Sequence, residues 1–268
     1  MFKTKNFMKM ALVTTMAALF LAGCGGDKDS KGSSKDVLAQ IKEEKKIVFG
    51  VKHDTRLFGL KNPSTGEVEG FDIDLSKALA EEMFGKDVKP EYVEVTSKTR
   101  VGLLNNGKVD AVVATMTITE ERKKEVDFTD VYFDAGQSLL VKKGSKIQSI
   151  KDLKKGTKVL AVKGSTSTIN IREKAPETTV LEFENYAEAF TALKAGKGDA
   201  LTTDDAILYG MAEEDPSYGL VGGTFTEEPY GIAVKKGNKA LVDELNKALK
   251  SLKDSGKYDE IKNKWIKN

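Results

Sequence analysis

Cysteine and histidine are almost missing: the 268 residues hold one of each, Cys24 and His53. An internal disulfide is therefore excluded, and so is a Cys/His zinc site, which needs several such ligands. A Ser/His/Asp triad would need His53 itself as its base. The chain also lacks a G-x-S-x-G, a G-x-x-x-x-G-K-[ST] and a G-x-G-x-x-G after a strand pattern. That removes the nucleophile elbow, the P-loop and the dinucleotide fingerprint. No catalytic residue, metal site or cofactor is expected. An excess of one charge is missing too, with 43 Lys and Arg against 41 Asp and Glu. The lysines alternate with acids as on a solvated surface, so no nucleic-acid partner is expected.

The one long apolar run, residues 10–22, is too short for an ordinary membrane span. Lys3, Lys5 and Lys9 precede it, and it ends in LAGC at 21–24. This resembles a lipoprotein signal whose lipobox cysteine, Cys24, becomes the acylated N-terminus. A plain secretory signal with an incidental cysteine is the alternative. Residues 1–23 are then a signal peptide and 24–35, small and polar, a flexible tether. Acylation at Cys24 leaves no thiol nucleophile, and two acyl chains suffice for stable anchoring. Losing the three lysines turns the formal charge of +2 into −1 and leaves 245 residues. That is enough for one large domain or two lobes. No membrane helix or cytoplasmic domain is expected after Asn268, which disfavours the sensor part of a signalling receptor.

The remainder alternates. A strand over 47–51 ends at Lys52, His53, Asp54 and Arg56, and Asn62-Pro63-Ser64-Thr65-Gly66 is a turn. A helix starts at Asp72 or Asp74, both read as favouring its N-terminus, with Ile73, Ala78, Leu79 and Met83 at helical spacing. A strand over 92–95, a helix over 99–105 and a strand over 109–114 follow. The pattern then restarts, with strands over 158–162, 179–183 and 198–202. Helices follow Gly164-Ser165-Thr166, cover 187–193 and run from Asp204 to about Met211. Two more helices cover 241–252 and 258–266. Such alternation implies a parallel α/β sheet. LLNNGKVDAVVAT (103–115) echoes ALKAGKGDALTTD (192–204), and LLVKKGS (139–145) echoes IAVKKGN (232–238), as two lobes of one design would.

The most telling local chemistry is at 115–122. Thr119 can cap a helix whose first turn is Glu120, Glu121 and Arg122. A cation there opposes the helix dipole unless an anion lies close. With the hydroxyls of Thr115 and Thr117 and the free N–H groups of a strand end, Arg122 suits a carboxylate. A surface arginine paired with Glu125 or Asp127 is the alternative.

ATMTITEERKKEVDFTDVYF (114–133) resembles the core motif of the polar amino-acid-binding proteins of ABC importers, and GFDIDLSKALAEEM (70–83) is similar to their signature. The resemblance runs from about Lys46 to the C-terminus, with most likeness to Gram-positive glutamine-binding and acidic amino-acid-binding lipoproteins. It implies an α/β, two-lobed, periplasmic-binding-protein-like fold of type II: two parallel-sheet lobes joined by two hinge crossings, near 134–137 and 228–230. Lobe 1 would comprise 36–135 and 230–268, and lobe 2 136–229. It implies a bidentate hold of Arg122 on the ligand's α-carboxylate, completed by Thr115, Thr117, Ser165 and Thr166, with Asp204 on the α-ammonium. Without it, Asp204 reads as a helix N-cap and 164–166 as an ordinary helix start. Where several members carry two aromatic rings, this chain has Thr55 and Ser97. Arg100 and Lys52 imply a ligand side chain ending in oxygen acceptors, which fits glutamine, glutamate or aspartate and not arginine, lysine or histidine; the overall likeness puts glutamine first, whereas the pocket charge points to glutamate or aspartate. The implied partners are a free amino acid, the importer's membrane subunits and, through Cys24, the outer face of the cytoplasmic membrane; a monomer is expected. A dehydratase-type enzyme on the same fold is the alternative, with His53 or a glutamate as its acid or base.

Overall fold

A computed structural model describes residues 37–267. The signal, the tether and Cys24 lie outside the described residues. The order is α1 (Val37–Glu44), β1 (Lys46–Val51), β2 (Asp54–Thr55), β3 (Gly59–Lys61), β4 (Val68–Glu69), α2 (Phe71–Phe84), β5 (Lys89–Glu94), α3 (Arg100–Asn105), β6 (Ala111–Val112), α4 (Glu120–Glu125) and β7 (Val126–Ala135). Next come β8 (Gln137–Lys142), β9 (Lys158–Val162), α5 (Ser167–Lys174), β10 (Thr179–Phe183), α6 (Tyr186–Lys194), β11 (Ala200–Asp204), α7 (Asp205–Glu214) and β12 (Tyr218–Val221). The chain closes with β13 (Glu228–Lys235), α8 (Lys239–Asp254) and α9 (Lys257–Trp265). No helix among the described residues is long and apolar enough to cross a membrane.

Two five-stranded sheets result, ordered β5-β1-β6-β13-β7 and β10-β9-β11-β8-β12. The first three strands of each are parallel, as the alternation predicts. The last two are antiparallel, so the sheets are mixed. The cause is the pair of crossings. After β7 the chain passes through Gly136 into β8 of the second sheet, and β13 brings it back. Outgoing β7 and returning β13 lie side by side and must run in opposite directions, from Glu228 opposite Ala135 to Lys235 opposite Val126.

The sequence echoes are structural equivalents. Gly107 and Gly196 turn with φ of 67° and 68°. Asp110 then accepts the N–H of Val48 at 2.8 Å, and Asp199 that of Lys158 at 2.7 Å. One carboxylate thus ties the start of β6 to β1 in the first sheet and the start of β11 to β9 in the second. The second echo places β8 and β13 at the same sheet position, each ending in a tight turn.

Both faces of each sheet are covered, which explains why the strands read as apolar runs rather than alternating ones. Phe49 and Val51 pack with Phe71, Leu75 and Leu79 of α2 and with Leu241, Leu245 and Leu249 of α8. Val95, Leu104, Val112 and Met116 fill the other face. In α8 the spacing of Leu241, Leu245, Leu249 and Leu252 puts all four on one buried stripe.

The two aspartates of α2 do more than favour a helix start. The helix begins at Phe71, and side chains two residues apart face different ways. Asp72 is fully buried and accepts from the N–H of Thr115 at 3.1 Å and the hydroxyl of Tyr132 at 3.0 Å. Asp74 turns outward, accepting from Lys264 and the indole of Trp265, each at 2.7 Å.

Candidate functional site

The strand ends that follow parallel order converge, as ligand sites do in open α/β sheets. Lys52 follows β1, residues 113–117 follow β6, residues 163–166 follow β9, and Asp204 ends β11.

Thr119 caps α4 by accepting the Arg122 N–H at 3.2 Å. The half-buried Arg122 guanidinium donates through Nη1 to the Thr117 carbonyl at 2.7 Å and through Nη2 to the Gly164 carbonyl at 3.1 Å. Asp127 pairs instead with Lys236 at 2.7 Å. Burial lowers the Arg122 pKa, and the carboxylates of Asp204 and Glu228 oppose that shift. Arg122 therefore sits at the junction of the two strand-end groups, with opposite charge nearby. Gly164 has φ 75°, and a Cβ there would lie 2.7 Å from Cα of Lys98 and 2.8 Å from the Ser97 carbonyl. Only glycine permits this approach between loops of the two sheets.

Arg100 is buried, with Nη1 donating to the carbonyls of Ala114 at 2.7 Å and Thr115 at 3.2 Å. Its Nε has no partner within the protein. Thr115 is a β-branched residue in the left-handed region, φ 46°, a conformation that surrounding contacts must impose. Asp72 accepts its N–H while Arg100 donates to its carbonyl and to that of Ala114, so a buried carboxyl and a buried cation hold this residue from both sides. The Thr115 hydroxyl is buried and unpartnered.

Lys52 is fully buried. Its Nζ donates to Ser97 Oγ at 2.9 Å and lies 4.9 Å from the Tyr186 ring centroid. Burial pushes its pKa down to about 8. Asp54, on β2 just past the end of β1, accepts the N–H of Tyr186, at the start of α6, at 2.6 Å, which ties this strand end to the helix that follows β10.

Asp204 occupies the N-cap position of α7, yet its side chain makes no capping bond. Oδ2 accepts from the Tyr230 hydroxyl at 2.5 Å, and the buried Oδ1 has no partner within the protein. Burial, then the neighbouring Glu228, pushes its pKa up to about 7. Thr166 precedes α5, and its hydroxyl donates to Glu228 at 2.8 Å. The Ser165 hydroxyl closes its own turn on the Val162 carbonyl at 2.6 Å.

Three cations, Lys52, Arg100 and Arg122, thus come from the first sheet, while Asp204 comes from the second. Asp72, Glu228 and Tyr230 are partners of the site that residue-by-residue reading missed. Asp72 lies inside the signature segment. For Tyr230 and Glu228 no local signal exists.

Residues 47–268 match the family of bacterial extracellular solute-binding proteins, family 3. Over 267 residues the chain is 66% identical to the ABC transporter glutamine-binding protein GlnH of Bacillus subtilis, covering 98% of each. It is 58% identical over 246 residues to the glutamine-binding protein of Geobacillus stearothermophilus, covering 88% of this chain and 94% of that one. Among solved structures it is similar to an ancestral arginine-binding protein bound to glutamine, with a TM-score of 0.78 and 44% identity over 83% of this chain and 98% of that one. It is also similar to an ancestral amino acid-binding protein, a precursor of cyclohexadienyl dehydratase, with a TM-score of 0.80 and 40% identity over 86% of this chain and 100% of that one.

Proposed function

We infer the function from family membership: the chain belongs to the bacterial extracellular solute-binding proteins, family 3. It captures a polar amino acid outside the membrane and delivers it to an ABC importer, with glutamine the first-choice ligand and glutamate or aspartate second. The glutamine-binding relatives support that order. The dehydratase alternative has less support, since the dehydratase-linked neighbour is itself an amino acid-binding protein.

One observation carries the site assignment. Arg122 is oriented by two carbonyls, and Asp204 offers a buried, unpartnered oxygen. A zwitterion matches this pair, with carboxylate to Arg122 and ammonium to Asp204. Thr115, Thr117, Ser165 and Thr166 frame the carboxylate end. Arg100 and Lys52 face the ligand's side chain and favour an oxygen acceptor there. Residues 36–135 with 230–268 move as one lobe and 136–229 as the other, about the two crossings. Calorimetry of the delipidated protein against the common amino acids tests this. Glutamine should bind most tightly; preference for arginine or histidine, or turnover of the ligand, would overturn it.

The protein is held at the outer face of the membrane by acylated Cys24, as a monomer. Its lone lipobox cysteine and the polar tether support this. Cys24→Ser should release processed protein into the medium with glutamine binding intact. Membrane fractionation checks it, and unchanged retention of processed protein would count against the anchor.

A further inference from the structure

We propose that Tyr230 is a positioning residue: its hydroxyl, fixed by the first sheet, holds one oxygen of Asp204 so that the other faces the ligand's ammonium group. This rests on Asp204 being the ammonium partner.

Tyr230 is fully buried on β13. Its ring stacks on Phe133 at 5.6 Å between centroids and meets Phe58 edge-on at 5.9 Å. Its backbone pairs with Phe133 on one side and Thr117 on the other. The ring therefore cannot swing, and its hydroxyl is delivered to a set point. There it donates to Asp204 Oδ2 at 2.5 Å, within the range of a charge-assisted bond.

The alternative position for that carboxylate is specific. At an N-cap, an aspartate ordinarily turns onto the first N–H groups of its helix. Asp204 sits at the N-cap of α7 and does not. The Tyr230 hydroxyl competes with the helix end and keeps the carboxylate turned away. Oδ1 is then left buried without a donor, which is costly unless a ligand supplies one.

The same bond bears on ionisation. Glu228 of β13 and Asp205 of α7 oppose the charge on Asp204, while Arg122 of α4 and the Tyr230 hydroxyl favour it. The Tyr186 hydroxyl of α6 also lies in its field. With burial dominant, the carboxylate sits at about 7. Only the ionised form pairs with an ammonium group, so glutamine affinity should fall as pH drops. Removing a donor that favours the charged form moves that loss to higher pH.

The experiment is calorimetry with glutamine from about pH 5 to about pH 9, spanning the acid limb, on wild type, Tyr230→Phe, Asp204→Asn and the double variant. Tyr230→Phe keeps the ring and should cost about tenfold in affinity near pH 8, with its acid limb moved upward. The double variant should bind no worse than Asp204→Asn alone. Wild-type affinity and an unmoved acid limb in Tyr230→Phe, or additive losses in the double variant, overturn the positioning role. If Asp204→Asn itself binds as wild type, the assignment of Asp204 fails, whatever Tyr230 does.

Discussion

Replacing Arg122 by alanine should weaken glutamine binding by about a hundredfold or more. A hydrogen bond to a charged group contributes about 1.5–3 kcal/mol, and a carboxylate can take two from one guanidinium. Every tenfold loss corresponds to about 1.4 kcal/mol, so losing both bonds spans two decades or more. The structure adds a reason for the upper end. The carbonyls of Thr117 and Gly164 hold Nη1 and Nη2, so backbone from both sides of the site fixes the plane of the fork. Alanine removes the fork and also leaves both carbonyls without that donor. Arg122→Lys should recover little, because an ammonium cannot serve two carbonyls and a planar carboxylate in one geometry. Calorimetry of both variants, with thermal unfolding as a check on folding, decides it. Near-wild-type affinity in Arg122→Lys would remove this residue from the carboxylate site.

Gly164→Ala should be comparably damaging for a different reason. Its Cβ would stand 2.7 Å from Cα of Lys98 and 2.8 Å from its nitrogen, against backbone that has no side-chain end to give way. The left-handed φ of 75° adds about 1–2 kcal/mol of strain. That strain is tolerable within the second sheet's loop. The steric wedge, in contrast, acts only where residues 97–98 and Gly164 meet. The variant should therefore fold, yet fail to bring Asp204 and Thr166 against a ligand seated on Arg122. Affinity follows the fraction of molecules that can reach the competent arrangement, so a fall on the order of a hundredfold is expected. Small-angle scattering should show less compaction on adding glutamine than in wild type. Full compaction with unchanged affinity would show that the close approach is dispensable.

Much of this molecule was legible in order along the chain. Strands β9 and β10 have the bounds their apolar runs predict, Lys158–Val162 and Thr179–Phe183. Thr119 caps α4 as its spacing with Glu120 and Glu121 suggests. A cation is out of place in a first helical turn, and that alone singles out Arg122. The Gly-Lys and Asp-Ala echoes marked two sheets of one design, and each aspartate makes the same bond. Periodicity, capping and turn preferences act over three or four residues, so a linear reading captures them. The antiparallel pairing of β7 with β13 was not legible, because its partners lie about a hundred residues apart and no local pattern records direction. Asp72 stands in the first turn of its helix, as the sequence suggests, but only the fold brings Thr115, 43 positions away, onto its carboxylate. Asp204 has the sequence of an N-cap. It serves otherwise because Tyr230, 26 positions on and held in another sheet's aromatic cluster, reaches its oxygen first. For the two aspartates local helix-start propensity is worth about 1 kcal/mol. A hydrogen bond to a charged group, about 1.5–3 kcal/mol, outweighs that, and only the tertiary structure decides which partner is within reach.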